Sequence, residues 1–105
     1  MVKQPSKQTL QKYGLPLDEW RVLLEKQNGV CYICQKVPKT ERLCIDHFHI
    51  KGFKKMKPEQ KKLYVRGLLC NYCNLRVASK AINLEKAIRL VAYLTAFDTK
   101  LKAQK

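Results

Sequence analysis

Acidic residues are scarce in this 105-residue sequence, where 8 Asp and Glu stand against 22 Lys and Arg, so the formal net charge is +14. A chain with this excess of positive charge attracts polyanions, and each Lys or Arg placed against a phosphate releases counterions. The shortage of acids therefore favours a nucleic acid as the partner. Charge alone leaves open a basic structural protein of a virion or a ribosome.

Long apolar runs are also missing. No segment approaches the about 20 consecutive apolar residues that a membrane-spanning helix needs. Residues 1–12 are polar and basic, without the apolar stretch of a secretory signal. We therefore expect no membrane partner, no secretion and a cytoplasmic location.

The five cysteines follow a pattern typical of metal binding, because disulfides are rare in a reducing compartment. Two Cys-x-x-Cys pairs, Cys31/Cys34 and Cys70/Cys73, can supply four thiolates to one tetrahedral Zn²⁺, which leaves no position open for water. The predicted zinc is therefore structural. Cys44 lies in an apolar run and is predicted to be a small core residue.

Apolar periodicity predicts a helix on each side of the cysteine pairs. The first begins at Leu17 and stops at Asn28-Gly29, because glycine adopts the left-handed conformation at low cost. The second runs from Leu84 to about Phe97.

Length and composition predict one domain with two basic extensions. A chain of 105 residues has room for a single domain. We expect residues 1–14 to form a loose basic arm and residues 99–105 a basic tail. The domain itself is predicted to comprise residues 15–98.

Between the two cysteine pairs the sequence predicts two strands, at residues 43–47 and 64–69. Gly67 is expected to mark a bulge or a close backbone approach in the second strand. Residues 50–63 form a predicted basic loop, with a helical turn after Pro58.

The two histidines of the chain lie beside an aspartate, in Asp46-His47-Phe48-His49. Asp is a suitable ligand for Mg²⁺, and His accepts a proton near neutral pH. Neighbours in a regular strand face opposite sides, so Asp46 and His47 can share a site only if the strand ends or distorts there. Taken alone, these residues are explained equally well as paired surface or core histidines.

Three segments in this order resemble the phage recombination endonuclease VII family, a branch of the HNH or His-Me finger nucleases. They read Cys-Tyr-Ile-Cys at 31–34, Ile-Asp-His-Phe-His at 45–49 and Val-Arg-Gly-Leu-Leu-Cys-Asn-Tyr-Cys-Asn at 65–74. The resemblance extends from about Tyr13 to Leu94. It implies an α+β fold, namely a small zinc-stapled ββα-metal (His-Me finger) domain with flanking N- and C-terminal helices.

The resemblance also implies a role for each matched position. Asp46 and Asn74 would bind one catalytic Mg²⁺ or Mn²⁺, and His47 would be the general base. His49 would support His47 or contact the scissile phosphate. The four paired cysteines would hold the structural Zn²⁺. The implied activity is a metal-dependent DNA endonuclease that nicks or cuts both strands with weak sequence specificity.

The implied partner is DNA, bound in a phage or host-cell interior by a monomer, with a homodimer as the alternative. Basic residues beside the site are expected to contact backbone phosphates, which positions DNA without reading sequence. They are Lys51, Lys54, Lys55, Lys57, Lys61, Lys62 and Arg66. The alternative for this run is a solvated loop.

Two further functions stay open. The first is a structure-selective Holliday-junction resolvase that acts as a dimer. The second is a zinc-ribbon module that binds nucleic acid without catalysis. Such a module explains the charge and the cysteines, but it gives no role to Asp46, His47 and Asn74.

Overall fold

The computed structural model describes residues 2–103 and contains a two-stranded antiparallel sheet with helices before, between and after its strands. The helices are α1 (Lys7–Tyr13), α2 (Leu17–Lys26), α3 (Pro58–Lys61) and α4 (Leu84–Ala103), and the strands are β1 (Cys44–His47) and β2 (Val65–Leu69). Shorter helical turns cover Phe53–Lys55, Lys62–Tyr64 and Cys73–Val77. The predicted α+β class, both strands and the helical turn after Pro58 are therefore confirmed.

A small core lies between α2 and the sheet. Ile45 of β1 pairs with Leu68 of β2, and both are buried together with Trp20 of α2. The remaining members of this cluster are Leu15, Cys31, Leu43, Leu69 and Cys73. Because two of the paired cysteines belong to the cluster, the predicted metal centre is part of the core.

The register of the sheet shifts between Asp46 and His47. Asp46 lies opposite Gly67 and His47 lies opposite Val65, so Arg66 is an extra residue in β2. A bulge of this kind bends the strand and re-aims its side chains. The distortion that a shared site for Asp46 and His47 requires is therefore present.

A buried glutamine ties the end of α2 to β2. The side-chain amide of Gln27 donates to the Leu68 carbonyl at 2.8 Å and accepts from the Leu68 N–H at 2.9 Å. It also donates to the Val30 carbonyl at 3.0 Å. A Cβ atom at Gly67 would lie 3.2 Å from the Gln27 amide oxygen, which confirms the predicted close approach at this glycine.

The predicted loose arm is wrong for residues 7–13, which form α1. Ser6 caps this helix by accepting a hydrogen bond from the Thr9 N–H at 3.2 Å, and Gly14 ends it with φ of 63°. A side chain at Gly14 would overlap the Pro58 carbonyl, so the end of α1 packs closely on the start of α3. The segment is therefore part of the fold. Met1 of the predicted arm lies outside the described residues.

The last helix is longer than predicted, because α4 continues to Ala103. The predicted tail at residues 99–105 is therefore wrong as far as residue 103, and its last two residues lie outside the described part. Many apolar side chains of α4 stay exposed, including Leu84, Ile88, Val91 and Leu94. In the part of the chain that the structure describes, no helix combines the length and apolar character needed to cross a membrane.

Replacing Gln27 by Met should lower the free energy of unfolding by about 3 kcal/mol, because the buried N–H and C=O groups of Leu68 lose their partner. Urea denaturation of the zinc-loaded protein measures the change. Gln11→Met, on the exposed side of α1, should change stability by less than about 0.5 kcal/mol. Equal stability of the two variants would contradict the bridging role of Gln27.

Candidate active site and metal centre

The four paired cysteines converge at the base of the segment that carries both strands. The Sγ atoms of Cys31, Cys34, Cys70 and Cys73 all lie within 4.8 Å of one another. A tetrahedral Zn²⁺ with bonds of about 2.3 Å separates its sulfur ligands by about 3.8 Å. The Cys34 and Cys70 sulfurs are 3.9 Å apart, so the quartet can bind a structural zinc. Cys44 does not belong to the quartet.

The thiols of Cys31 and Cys73 differ in how readily they lose a proton. The Cys73 N–H donates to the Cys70 sulfur at 3.4 Å. Although burial acts to raise it, hydrogen bonds from the backbone N–H groups of Cys70, Cys34 and Ile33 lower the pKa of Cys31 to about 7. Burial raises the pKa of Cys73 to about 12. Four thiolates therefore need a cation to coexist in this place, as a zinc centre provides.

The residues with predicted catalytic roles line one cavity of about 280 Å³. Asp46 and His47 reach it from β1, His49 from just beyond that strand, and Asn74 from the helical turn after β2. The rest of the wall is formed by Tyr13, Ile45, Leu75, Ser79 and Lys80. The structure thus brings these four residues together, while their chemical roles stay predictions.

The imidazole of His47 lies among other rings. It stacks on Phe53 with a centroid distance of 4.3 Å, and the rings of His49 and Tyr13 lie 4.9 and 5.4 Å away. Burial and the neighbouring charge of His49 lower the pKa of His47 from its ordinary value. The ring is therefore neutral near pH 7 and able to accept a proton.

The carboxylate of Asp46 is buried and paired with an arginine. Arg66 donates from Nε to Oδ2 at 2.7 Å and from a terminal nitrogen to Oδ1 at 3.1 Å. Arg66 was predicted to contact a DNA phosphate, but in this structure its guanidinium is paired with Asp46. The extra residue of the β2 bulge supplies this side chain.

The position of Asn74 depends on the second cysteine pair. Asn74 directly follows Cys73, and its N–H donates to the Cys70 carbonyl at 2.9 Å within the turn that aims both sulfurs. The same turn therefore places a metal-binding thiol in the core and the Asn74 side chain in the cavity.

A second cavity, of about 680 Å³, adjoins His47 and His49 and is rich in lysine. The lysines that line it are Lys12, Lys51, Lys54, Lys55, Lys61 and Lys80. Four of these were predicted to contact phosphate, whereas Lys12 and Lys80 were not. Lys62 instead forms an ion pair with Glu19 at 3.2 Å, and Lys57 lines neither of these two cavities.

Comparison with known proteins decides the family. The model of the recombination endonuclease VII family matches residues 6–96. This range includes both cysteine pairs and the four residues with predicted catalytic roles, Asp46, His47, His49 and Asn74. The chain belongs to the recombination endonuclease VII family. The resemblance read from the sequence is thereby confirmed.

Two curated relatives are phage proteins. The Gene 59 protein of Mycobacterium phage D29 is 37% identical over 87 residues, which cover 81% of this chain and 46% of the relative. The Gene 59 protein of Mycobacterium phage L5 is 42% identical over 66 residues, which cover 62% of this chain and 34% of the relative. The chain therefore spans less than half the length of these two relatives. No solved structure matches it.

The family match begins near α1, and α1 supplies two cavity residues that the sequence analysis missed. Lys12 lines the lysine-rich cavity, and Tyr13 lines both cavities. The signal that could have found them is the cap at each end of the helix, a serine at position 6 and a glycine at position 14.

Replacing Cys73 by Ser should abolish zinc binding by the quartet and remove most of the tertiary structure, because metal-binding free energy in such a centre is folding free energy. Elemental analysis of the purified protein and near-ultraviolet circular dichroism measure the two losses. The matched control is Cys44→Ser, which should keep a full complement of zinc. Zinc retained by Cys73→Ser, or lost from Cys44→Ser, would contradict the assignment of the quartet.

Proposed function

We propose that this protein is a metal-dependent DNA endonuclease of the HNH or His-Me finger type, which hydrolyses phosphodiester bonds with weak sequence specificity. The main support is the cavity shared by Asp46, His47, His49 and Asn74 beside a lysine-rich cavity. The order β1, β2 and the helical turn Cys73–Val77 agrees with a ββα-metal core. The cysteine quartet is proposed to hold a structural Zn²⁺.

In this proposal His47 takes a proton from the attacking water. Its lowered pKa keeps the imidazole neutral, and the stacked Phe53 ring restrains its orientation. In-line attack of the resulting hydroxide forms a new bond to phosphorus and breaks the bond to the 3′ oxygen, which takes a proton from solvent water, so the products carry 5′-phosphate and 3′-hydroxyl ends. His49 is proposed to support His47 or to contact the scissile phosphate. A general base of this kind contributes about 10²–10⁴-fold to the rate.

The oxygen groups of the cavity suit a small divalent cation. Asp46 offers a carboxylate and Asn74 an amide oxygen, which are ligand types that Mg²⁺ and Mn²⁺ take. Two protein ligands are enough, because Mg²⁺ usually keeps several of its waters. When bound, the cation would neutralise charge on the phosphate and on the departing oxygen. We propose Asp46 and Asn74 as the residues that hold it.

The lysines of the second cavity are proposed to hold the DNA backbone next to the cut. Lys51, Lys54, Lys55 and Lys61 lie there, and Lys12 of α1 extends the set. Contacts to phosphate position DNA without reading its bases, which accounts for weak sequence preference. We place this activity in a phage or host-cell interior and expect a monomer.

A junction-resolving activity is the second candidate, favoured by the description of the family as a recombination endonuclease. It would act on a four-way DNA junction and would need a dimer to cut two strands symmetrically. Cleavage of a synthetic four-way junction compared with linear duplex, together with the molecular mass in solution, separates it from general cleavage.

Wild-type protein should nick or linearise supercoiled plasmid in the presence of Mg²⁺. His47→Ala should slow this cleavage by at least about 100-fold, because the proposed general base is removed. Asn74→Ala should also slow it and should require more Mg²⁺. Gel electrophoresis of the plasmid over time measures all three rates.

The matched control is Asn71→Ala. Asn71 belongs to the same cysteine turn as Asn74 but lies outside the cavity of Asp46 and His47, so its removal should leave the rate unchanged. Zinc content and duplex affinity should be the same in all the variants. Wild-type protein that retards the plasmid in a gel without nicking it would contradict the enzyme and favour a non-catalytic zinc-ribbon module.

Replacing Lys54 by Gln should weaken duplex binding and reduce its salt dependence. The slope of log K against log salt concentration should fall by about 0.9 for one lost phosphate contact on duplex DNA. Lys26→Gln, at the exposed end of α2, should leave the slope unchanged. Fluorescence anisotropy over a salt series gives the slopes, and equal slopes for both variants would count against the lysine-rich cavity as the DNA site.

A further inference from the structure

The buried carboxylate of the candidate site already has a positively charged partner. Both oxygens of Asp46 accept hydrogen bonds from Arg66, at 2.7 and 3.1 Å. Among residues 2–103 this carboxylate accepts no other side-chain hydrogen bond. An ionised carboxylate out of water needs such a partner, because an unpaired buried charge is strongly destabilising.

The two members of this pair differ in how freely they can move. The side chain of Asp46 is 8% exposed, whereas that of Arg66 is 41% exposed. Asp46 is held by its strand pairing to Gly67, while Arg66 is the extra residue of the bulge. The guanidinium can therefore leave the carboxylate toward solvent without disturbing the core, and Asp46 stays in place.

A divalent cation bound to Asp46 would neutralise the carboxylate, as Arg66 does in the metal-free protein. Both at once would bring a double and a single positive charge close together in a half-buried place, where their repulsion is only partly screened. We propose that Arg66 is a displaceable counter-ion, which neutralises Asp46 in the metal-free protein and is expelled from it when the catalytic cation binds. This rests on the proposed role of Asp46 as a metal ligand.

The exchange gives Arg66 two roles in sequence. In the metal-free protein it stabilises the fold by satisfying a buried charge. In the metal-bound protein the freed guanidinium would be available to a phosphate of the bound DNA. The phosphate contact predicted from the sequence then belongs to the metal-bound state.

The test compares wild type with Arg66→Met in zinc-loaded protein without DNA. Mn²⁺ affinity is measured from the electron paramagnetic resonance signal of free Mn²⁺, and thermal unfolding is followed with and without Mn²⁺. Arg66→Met should bind Mn²⁺ about tenfold more tightly, because the competing charge is gone. It should melt at a lower temperature than wild type without Mn²⁺ and gain more from added Mn²⁺.

The matched control is Arg89→Met on α4. Arg89 also pairs with a carboxylate, that of Glu85 at 2.6 Å, but both side chains are exposed and lie on α4, away from the site. Its loss should change neither the Mn²⁺ affinity nor the response of the melting temperature to Mn²⁺. Arg66→Gln, which can still donate a hydrogen bond but carries no charge, should behave as Arg66→Met does.

Wild-type protein provides a readout that does not depend on how the variants fold. The Nε–H resonance of Arg66, held by Asp46 in the metal-free protein, should move toward the position of a solvent-exposed arginine as Mg²⁺ is added. An unchanged resonance at saturating Mg²⁺ would overturn the exchange, as would Arg66 variants that bind Mn²⁺ no more tightly than wild type.

Asp46→Asn separates this proposal from the proposed function. If wild type binds Mn²⁺ and Asp46→Asn does not, Asp46 is a metal ligand. In that case, equal Mn²⁺ affinities of wild type and Arg66→Met would overturn the exchange and leave the metal site intact. If Asp46→Asn binds Mn²⁺ as wild type does, Asp46 is not a ligand, and both the metal assignment and the exchange are wrong.

Discussion

The convergence of four cysteine sulfurs is the constraint on which the rest of the structure depends. The pairs Cys31/Cys34 and Cys70/Cys73 close the base of the segment that carries both strands and the basic loop. Two of these cysteines are also core residues, so a zinc ion bound by the quartet would cross-link this small core at its most buried point. Asn74 follows the last of them directly, which couples the geometry of the metal centre to that of the candidate active site.

The strand bulge is the second constraint. Regular pairing would send neighbouring side chains of β1 to opposite faces. Because β2 has one extra residue at Arg66, the side chains of Asp46 and His47 line a common cavity. The same extra residue supplies the charge that neutralises Asp46. One local irregularity thus builds the site and keeps its buried carboxylate stable in the protein alone.

Much of this arrangement could be predicted because it depends on local patterns. The cysteine spacing predicted the quartet, and the adjacency of Asp46 and His47 predicted that β1 must end or distort there if the two residues share a site. Contacts between distant segments could not be predicted in this way. The pairing of Asp46 with Arg66 requires the bulge, and that of Lys62 with Glu19 requires the packing of two helical segments. The helix α1 was missed because it is short and mostly polar, with Leu10 and Tyr13 as its only large apolar residues, and because the close packing of Gly14 on Pro58 joins segments that are distant in sequence.

The most direct test of the account uses the fact that the chain has two histidines, both beside the candidate metal site. Mn²⁺ is paramagnetic and broadens the resonances of the nuclei nearest to it. The imidazole resonances of His47 and His49 are therefore followed by nuclear magnetic resonance in zinc-loaded protein while substoichiometric Mn²⁺ is added. We expect both to broaden before the resonances of other side chains, and we expect Asp46→Asn to abolish the effect. Sharp histidine resonances in wild type, or broadening that is the same in Asp46→Asn, would contradict a cation held between Asp46 and Asn74.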